Sequence, residues 1–245
     1  MCEKPPASNL DQLTKIAKYD PRIYFNFNYR FTLISELTKS YIDSGEMGRL
    51  VNASFISCHG LAFKDGFENN WRFQGESIGS SILGNLGIHY IDLAGYLFGD
   101  IDNMMVSTRN ISSNSMPDSA AISLDIADCP SNIFISYAAP FRNQATIIFD
   151  NGILELVNGN LTIQTPRNVF NKEKMFMPAK PSRIQTGFLD SKSYYDDSLC
   201  KSVRYFLNYA VNKKLFPAED YKRAIKTNQI VLDQISQKAH EIKNH

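Results

Sequence analysis

Apolar residues fill most positions from Ile82 to Phe98, and the polar ones among them recur at helical intervals. Asn85, His89, Asp92 and Tyr96 fall on one narrow stripe, while Ile82, Leu86, Tyr90, Leu93 and Leu97 fill a broad face on the other side. The pattern predicts a buried helix, starting near Ile78 and stopping at Gly99, whose stripe faces something polar.

Upstream, Leu10, Leu13, Ile16 and Ala17 stand at helical spacing behind Ser8 or Asn9 as N-cap. The aromatic-rich stretch 22–31 reads as a strand, and 33–44 as a helix closed by Gly45. Strand, helix and strand make a βα unit of a parallel sheet, of which only the last part stands here. From 49 to 59 the pattern changes to alternation, with Val51, Ala53 and Phe55 on one side. Strand-like runs follow at 104–111, 120–126, 133–137, 145–149, 153–157 and 161–164, several separated by Asn- and Gly-containing turns. This predicts a mainly antiparallel sheet of consecutive hairpins with one helix packed across it. The segment 166–190 reads as a long irregular loop. Two amphipathic helices close the chain. One, at 196–212, buries Leu199, Val203, Phe206, Leu207 and Ala210; the other, opened by Pro217, buries Tyr221, Ile225, Leu232 and Ile235. The fold class is α+β.

Length and charge narrow the functional classes. At 245 residues the chain can bury a sizeable core in one large domain or two small ones. A formal charge of +1 leaves no electrostatic footprint for nucleic acid or an anionic membrane. Cys2, Cys58, Cys129 and Cys200 are scattered without metal-ligand spacing, so no metal site is expected and the thiols read as reduced. With no signal peptide or membrane-spanning run visible, the reading is a cytoplasmic protein.

The candidate chemistry centres on His89. Imidazole is the side chain whose unperturbed pKa suits proton transfer near neutrality, and a helix holds it rigidly. The same residue also reads as a core group bonded to Asp92 three positions on, and the stretch alone leaves both readings open.

Four segments bear on this choice: Glu3-Lys4-Pro5, Asn28-Tyr29-Arg30-Phe31, Ile42-Asp43-Ser44-Gly45-Glu46-Met47-Gly48 and Asn85-Leu86-Gly87-Ile88-His89-Tyr90-Ile91-Asp92. In their order and spacing the chain resembles the glucose-fructose oxidoreductase / inositol dehydrogenase (Gfo/Idh/MocA) family. The resemblance implies an NAD(P)-dependent sugar dehydrogenase with a Rossmann domain followed by an open antiparallel sheet with helices on one face. Residues 1–45 then correspond to a remnant, the last βαβ part, of the Rossmann domain, and 46–245 to the substrate-binding and oligomerisation domain. By the same resemblance Lys4 and His89 are catalytic, with Asn85 one turn before the histidine. Glu3, Lys4 and Pro5 lie by the NAD or NADP cofactor, and Asn28, Tyr29, Arg30, Trp71, Arg72 and Asp92 line the substrate cleft. Asp92 also has a reading as the residue that orients His89.

Two departures from the family pattern matter. Asparagine stands at 85, where the family commonly has aspartate; it resembles the subset acting on nucleotide-linked sugars, which shifts the expected substrate toward these. The glycine-rich dinucleotide fingerprint is not visible, and the glycines at 75, 79, 84 and 87 do not spell it. The expected function is therefore a truncated sugar or nucleotide-sugar dehydrogenase. Its expected partners are further copies, as a homo-oligomer through the open sheet, and a separate Rossmann-containing chain. The alternative is a non-catalytic sugar-binding or oligomerisation module.

Overall fold

The computed structural model describes residues 1–18, 23–70, 81–112, 116–126, 129–184 and 190–243. Their centre is a sheet of eight strands: β1 (Leu50–Cys58), β2 (Ile101–Arg109), β3 (Ser119–Ile126), β4 (Cys129–Ser136), β5 (Arg142–Phe149), β6 (Gly152–Val157), β7 (Asn160–Gln164) and β8 (Ser182–Ile184). The spatial order is β2-β3-β4-β1-β5-β6-β7-β8. Every pairing is antiparallel except that of β1 with β4, where Phe55 stands opposite Ile133. The expected succession of hairpins is thus interrupted. β1 inserts between β4 and β5, and β8 adds a short edge strand from within the segment read as loop.

Alternation gives the sheet two unlike faces. Ala53, Phe55, Ile122, Leu124, Ile133, Ile135, Ala145, Ile147 and Leu154 are buried on the inner one. Ser123, Asn132, Phe134 and Met105 are exposed on the outer one.

Five helices accompany the sheet: α1 (Leu10–Ile16), α2 (Leu33–Ser44), α3 (Ile88–Phe98), α4 (Ser191–Val211) and α5 (Ala218–Lys243). Asn9 caps α1 by accepting from the Gln12 amide, and Gly45 ends α2 at φ +68°. A π-helical turn, Leu83–Gly87, leads directly into α3. Gly87 lets this entry lie close on the sheet, because a Cβ there would stand 3.1 Å from Ile135 Cδ1.

Two local expectations change. The expected strand at 22–31, described from 23 on, is no ladder strand: Phe25 makes a single parallel bridge to Cys2, and Asn28–Phe31 coil into a 3-10 turn. Its asparagines instead bond side chains outside any sheet, Asn26 to Glu3 and Ser202, and Asn28 to Ser198. α4 is rotated for the same reason. Tyr194, Ser198 and Ser202 are its buried residues, and Leu207 and Ala210 are exposed. The surface that α4 meets is polar, so its serines, not its leucines, face inward.

Candidate active site

α3 is buried almost all round, and its stripe faces residues from the first forty-five of the chain. Each stripe residue meets its own partner there.

Asn85 lies in the π turn, a widening of the helix that frees backbone carbonyls from the regular ladder. Lys4 donates from Nζ to the Asn85 main-chain oxygen and, at 3.1 Å, to its Oδ1. The remaining amide group, Nδ2, donates to the hydroxyl of Tyr137 at 2.7 Å. Tyr137 follows β4, is buried, and stacks on His59 with ring centroids 4.9 Å apart. Sequence reading missed this tyrosine; its signal was a phenol at the end of the strand-like run 133–137.

His89 lies one turn further on. Its ring stacks on Tyr29 at 4.5 Å and meets Phe27 edge-on. It is 8% exposed, and Nδ1 is buried without a hydrogen-bond partner among the described residues. Burial, and then the positive charge of Lys4, hold its pKa well below the ordinary 6.5. The imidazole is therefore neutral at neutral pH. In the unfolded chain it takes up a proton near 6.5, so between that value and the lower folded one the unfolded state binds more protons. Stability is expected to fall as pH drops below about 6.5, by up to about 1.4 kcal/mol per pH unit from this group, and to be flat above. Thermal unfolding between pH 5 and 8 measures the slope.

Asp92 is 1% exposed, and its carboxylate grips Arg30, Oδ2 to Nε at 2.7 Å and Oδ1 to Nη2 at 2.5 Å. Thr227 adds a longer donation at 3.4 Å. Asp92 thus bonds Arg30 and Thr227 instead of the histidine. Arg30 also reaches Asp220 at 3.4 Å and lies over the rings of Phe27 and Tyr96. Burial disfavours its charge most strongly, but the Asp92 carboxylate, through its charge and its hydrogen bonds, and Asp220 together offset that and hold its pKa above the ordinary value.

Of the residues matched to cofactor and cleft, Lys4, Asn85, His89 and Tyr29 come together, and Arg30 and Asp92 adjoin them as a closed ion pair. Glu3 accepts from Asn26, Asn28 bonds α4, and Pro5 follows a cis peptide. Trp71 and Arg72 lie outside the described residues. Gly84 and Gly87 are built into the helix, so they form no phosphate loop. Behind Tyr29 a cavity of about 30 Å³, bordered by Tyr90, Tyr194 and Tyr195, has room for water but not for a sugar. Among the described residues no metal-ligating cluster occurs, and no helix is long and apolar enough to cross a membrane.

The profile of the GFO/IDH/MocA C-terminal domain matches residues 36–155. Those residues carry the C-terminal domain of the Gfo/Idh/MocA family. Within it, the chain is 33% identical over 114 residues to levoglucosan dehydrogenase of Pseudarthrobacter phenanthrenivorans, covering 44% of this chain and 29% of that protein. It is 32% identical over 105 residues to glucose-6-phosphate 3-dehydrogenase of Bacillus subtilis, covering 40% and 29%. The aligned stretch thus spans less than a third of either relative. Among solved structures, levoglucosan dehydrogenase in complex with NADH and levoglucosan superimposes with a TM-score of 0.75 at 17% identity, over 98% of this chain and 71% of that one. An oxidoreductase from Agrobacterium radiobacter, in complex with NAD+, L-tartaric acid and magnesium, gives 0.69 at 18% identity, over 94% and 68%. The Gfo/Idh/MocA sheet with helices on one face is thus the fold of this chain.

Proposed function

We propose that this chain carries the substrate side of an NAD(P)-dependent sugar oxidoreductase. One observation supports the reading above all: a lysine ammonium, held by Asn85, lies close enough to the neutral imidazole of His89 for its charge to act there.

The pair suits removal of a proton from an alcohol. His89 is already in its proton-accepting form, and with Nδ1 closed off, Nε2 is the nitrogen that takes the hydroxyl proton. Lys4 stabilises the negative charge that develops on the sugar oxygen as that proton leaves. Its attachment through both Asn85 oxygens fixes the ammonium without neutralising it, since an amide brings no charge. Tyr29 backs the imidazole and limits its rotation. The donor set fits the reacting end of a nicotinamide and alcohol pair, with Glu3, Lys4 and Pro5 as the residues that would lie against the ring. A bound nicotinamide supplies the hydride acceptor. Residues 1–45 are read as part of a dinucleotide-binding unit. The outer sheet face, with exposed Met105 and Phe134, is read as the surface that pairs with a second copy.

The substrate is a sugar, and the neutral Asn85 favours a nucleotide-linked one. The test is reduction of NAD+ and NADP+ at 340 nm with levoglucosan, glucose 6-phosphate and UDP-linked amino sugars. Calorimetry on the same ligands accompanies it. Sugar-dependent reduction that Lys4→Met abolishes supports the reading. Sugar binding without dinucleotide binding replaces it with the non-catalytic module.

A further inference from the structure

We propose that Tyr137 is a positioning residue, which selects the orientation of the Asn85 amide and thereby holds the Lys4 ammonium beside His89. The inference rests on the reading of Lys4 and His89 as the reacting pair, and it extends that pair to a residue on the sheet.

An ammonium only donates, so each group it meets must present an oxygen; the Asn85 main-chain carbonyl does so always, and the side-chain amide is the second anchor that fixes its direction. A carboxylate at position 85 would do so whichever way it turned. An amide presents an oxygen in one orientation and two N–H donors in the other, and the wrong orientation sets donor against donor. The side-chain torsion that exchanges them is soft. Something must therefore accept from Nδ2 when Oδ1 faces Lys4, and the Tyr137 hydroxyl does this at 2.7 Å while Oδ1 receives Lys4 at 3.1 Å. The tyrosine is well placed to hold that orientation. It is 2% exposed, its ring is packed between His59 and Phe67, and its backbone is tied on both sides, N–H to Asp118 and C=O to Ala62. The chain of contacts runs from a rigid strand end, through a neutral amide, to the cation. The asparagine and the tyrosine then form a unit: the neutral residue at 85 is what makes an acceptor at 137 necessary.

Side-chain NMR on the full chain tests this without needing turnover. The Nζ–H signal of Lys4 is visible only while the ammonium is held and its protons exchange slowly. It is expected to persist in the wild type, to be lost in Tyr137→Phe, whose ring keeps its packing, and to return in Asn85→Asp/Tyr137→Phe, where a carboxylate needs no orienting partner. Asn85→Ala, which leaves only the main-chain oxygen as acceptor, is expected to lose it as well. Persistence of the signal in Tyr137→Phe, or in Asn85→Ala if the first variant does not fold, overturns the proposal. In sugar-dependent reduction of NAD(P)+, Tyr137→Phe is expected to lower kcat about tenfold to a hundredfold with KM little changed, and Asn85→Asp to rescue it. If the NMR pattern holds while kcat does not move, the positioning stands and the catalytic reading of Lys4 falls.

Discussion

Replacing Asp92 with leucine is expected to destabilise the protein by about 3–5 kcal/mol, because it strands a guanidinium that the fold has taken out of water. Arg30 is 8% exposed and Asp92 1%, and their two parallel contacts leave neither group a solvent route to compensation. Asp220 keeps its 3.4 Å contact to Nη1, but it is partly exposed and also accepts from Tyr205, so it replaces only part of the lost carboxylate. The double change Arg30→Met with Asp92→Leu is expected to recover most of the loss, since removing both charges also removes the cost of burying them. Urea unfolding of the two single variants and the double variant measures the cycle. The pair also pins the turn Asn28–Phe31 to α3, and Tyr29 in that turn supports the imidazole. The single variants should therefore disturb His89 as well as the global fold, and the double variant much less.

The second large effect separates chemistry from packing. His89→Phe keeps a flat ring against Tyr29 and removes a buried nitrogen that has no partner, a group that costs about 1–3 kcal/mol when left unsatisfied. The variant is expected to unfold at the same temperature as the wild type or above it, and to lose the acid-side slope in stability that His89 contributes. On the proposed reading, sugar-dependent reduction of NAD(P)+ is expected to fall by about 10²–10⁴ at the same time. A histidine kept for packing would give the opposite pair of results, lower stability and unchanged turnover. Thermal unfolding at pH 5 and 7.5 beside a 340 nm assay distinguishes them.

Much of this site was legible in the chain itself. The stripe Asn85, His89, Asp92 and Tyr96 follows from helical spacing, and each member does meet a polar or cationic partner from the N-terminal segment. α2 at Leu33–Ser44 and the alternation of β1 were likewise readable, since periodicity reports which face is buried. What periodicity leaves out is the identity of the burying surface. α4 shows this: its apolar residues suggested one face, but the facing wall is made of Tyr24, Asn26 and Asn28, so Ser198 and Ser202 turn inward. Arg30 and Asp92 illustrate the same limit, as two charges far apart in sequence gave no sign that they would satisfy each other. The bond from Asn85 to Tyr137 joins positions on different elements, and no local pattern encodes it.

The place of β1 in the sheet bears on how the protein comes into being. Residues 50–58 form the central strand, yet their neighbours on both sides are β4 and β5, and the whole helix carrying His89 lies between them in sequence. On the ribosome, the first strand to emerge has no partner until β4 and β5 have followed it out. Pairings of such long separation are slow to close, and the half-made chain shows a bare ladder edge meanwhile. Synthesis that stops short of Phe149 should therefore give aggregates, not a smaller stable domain.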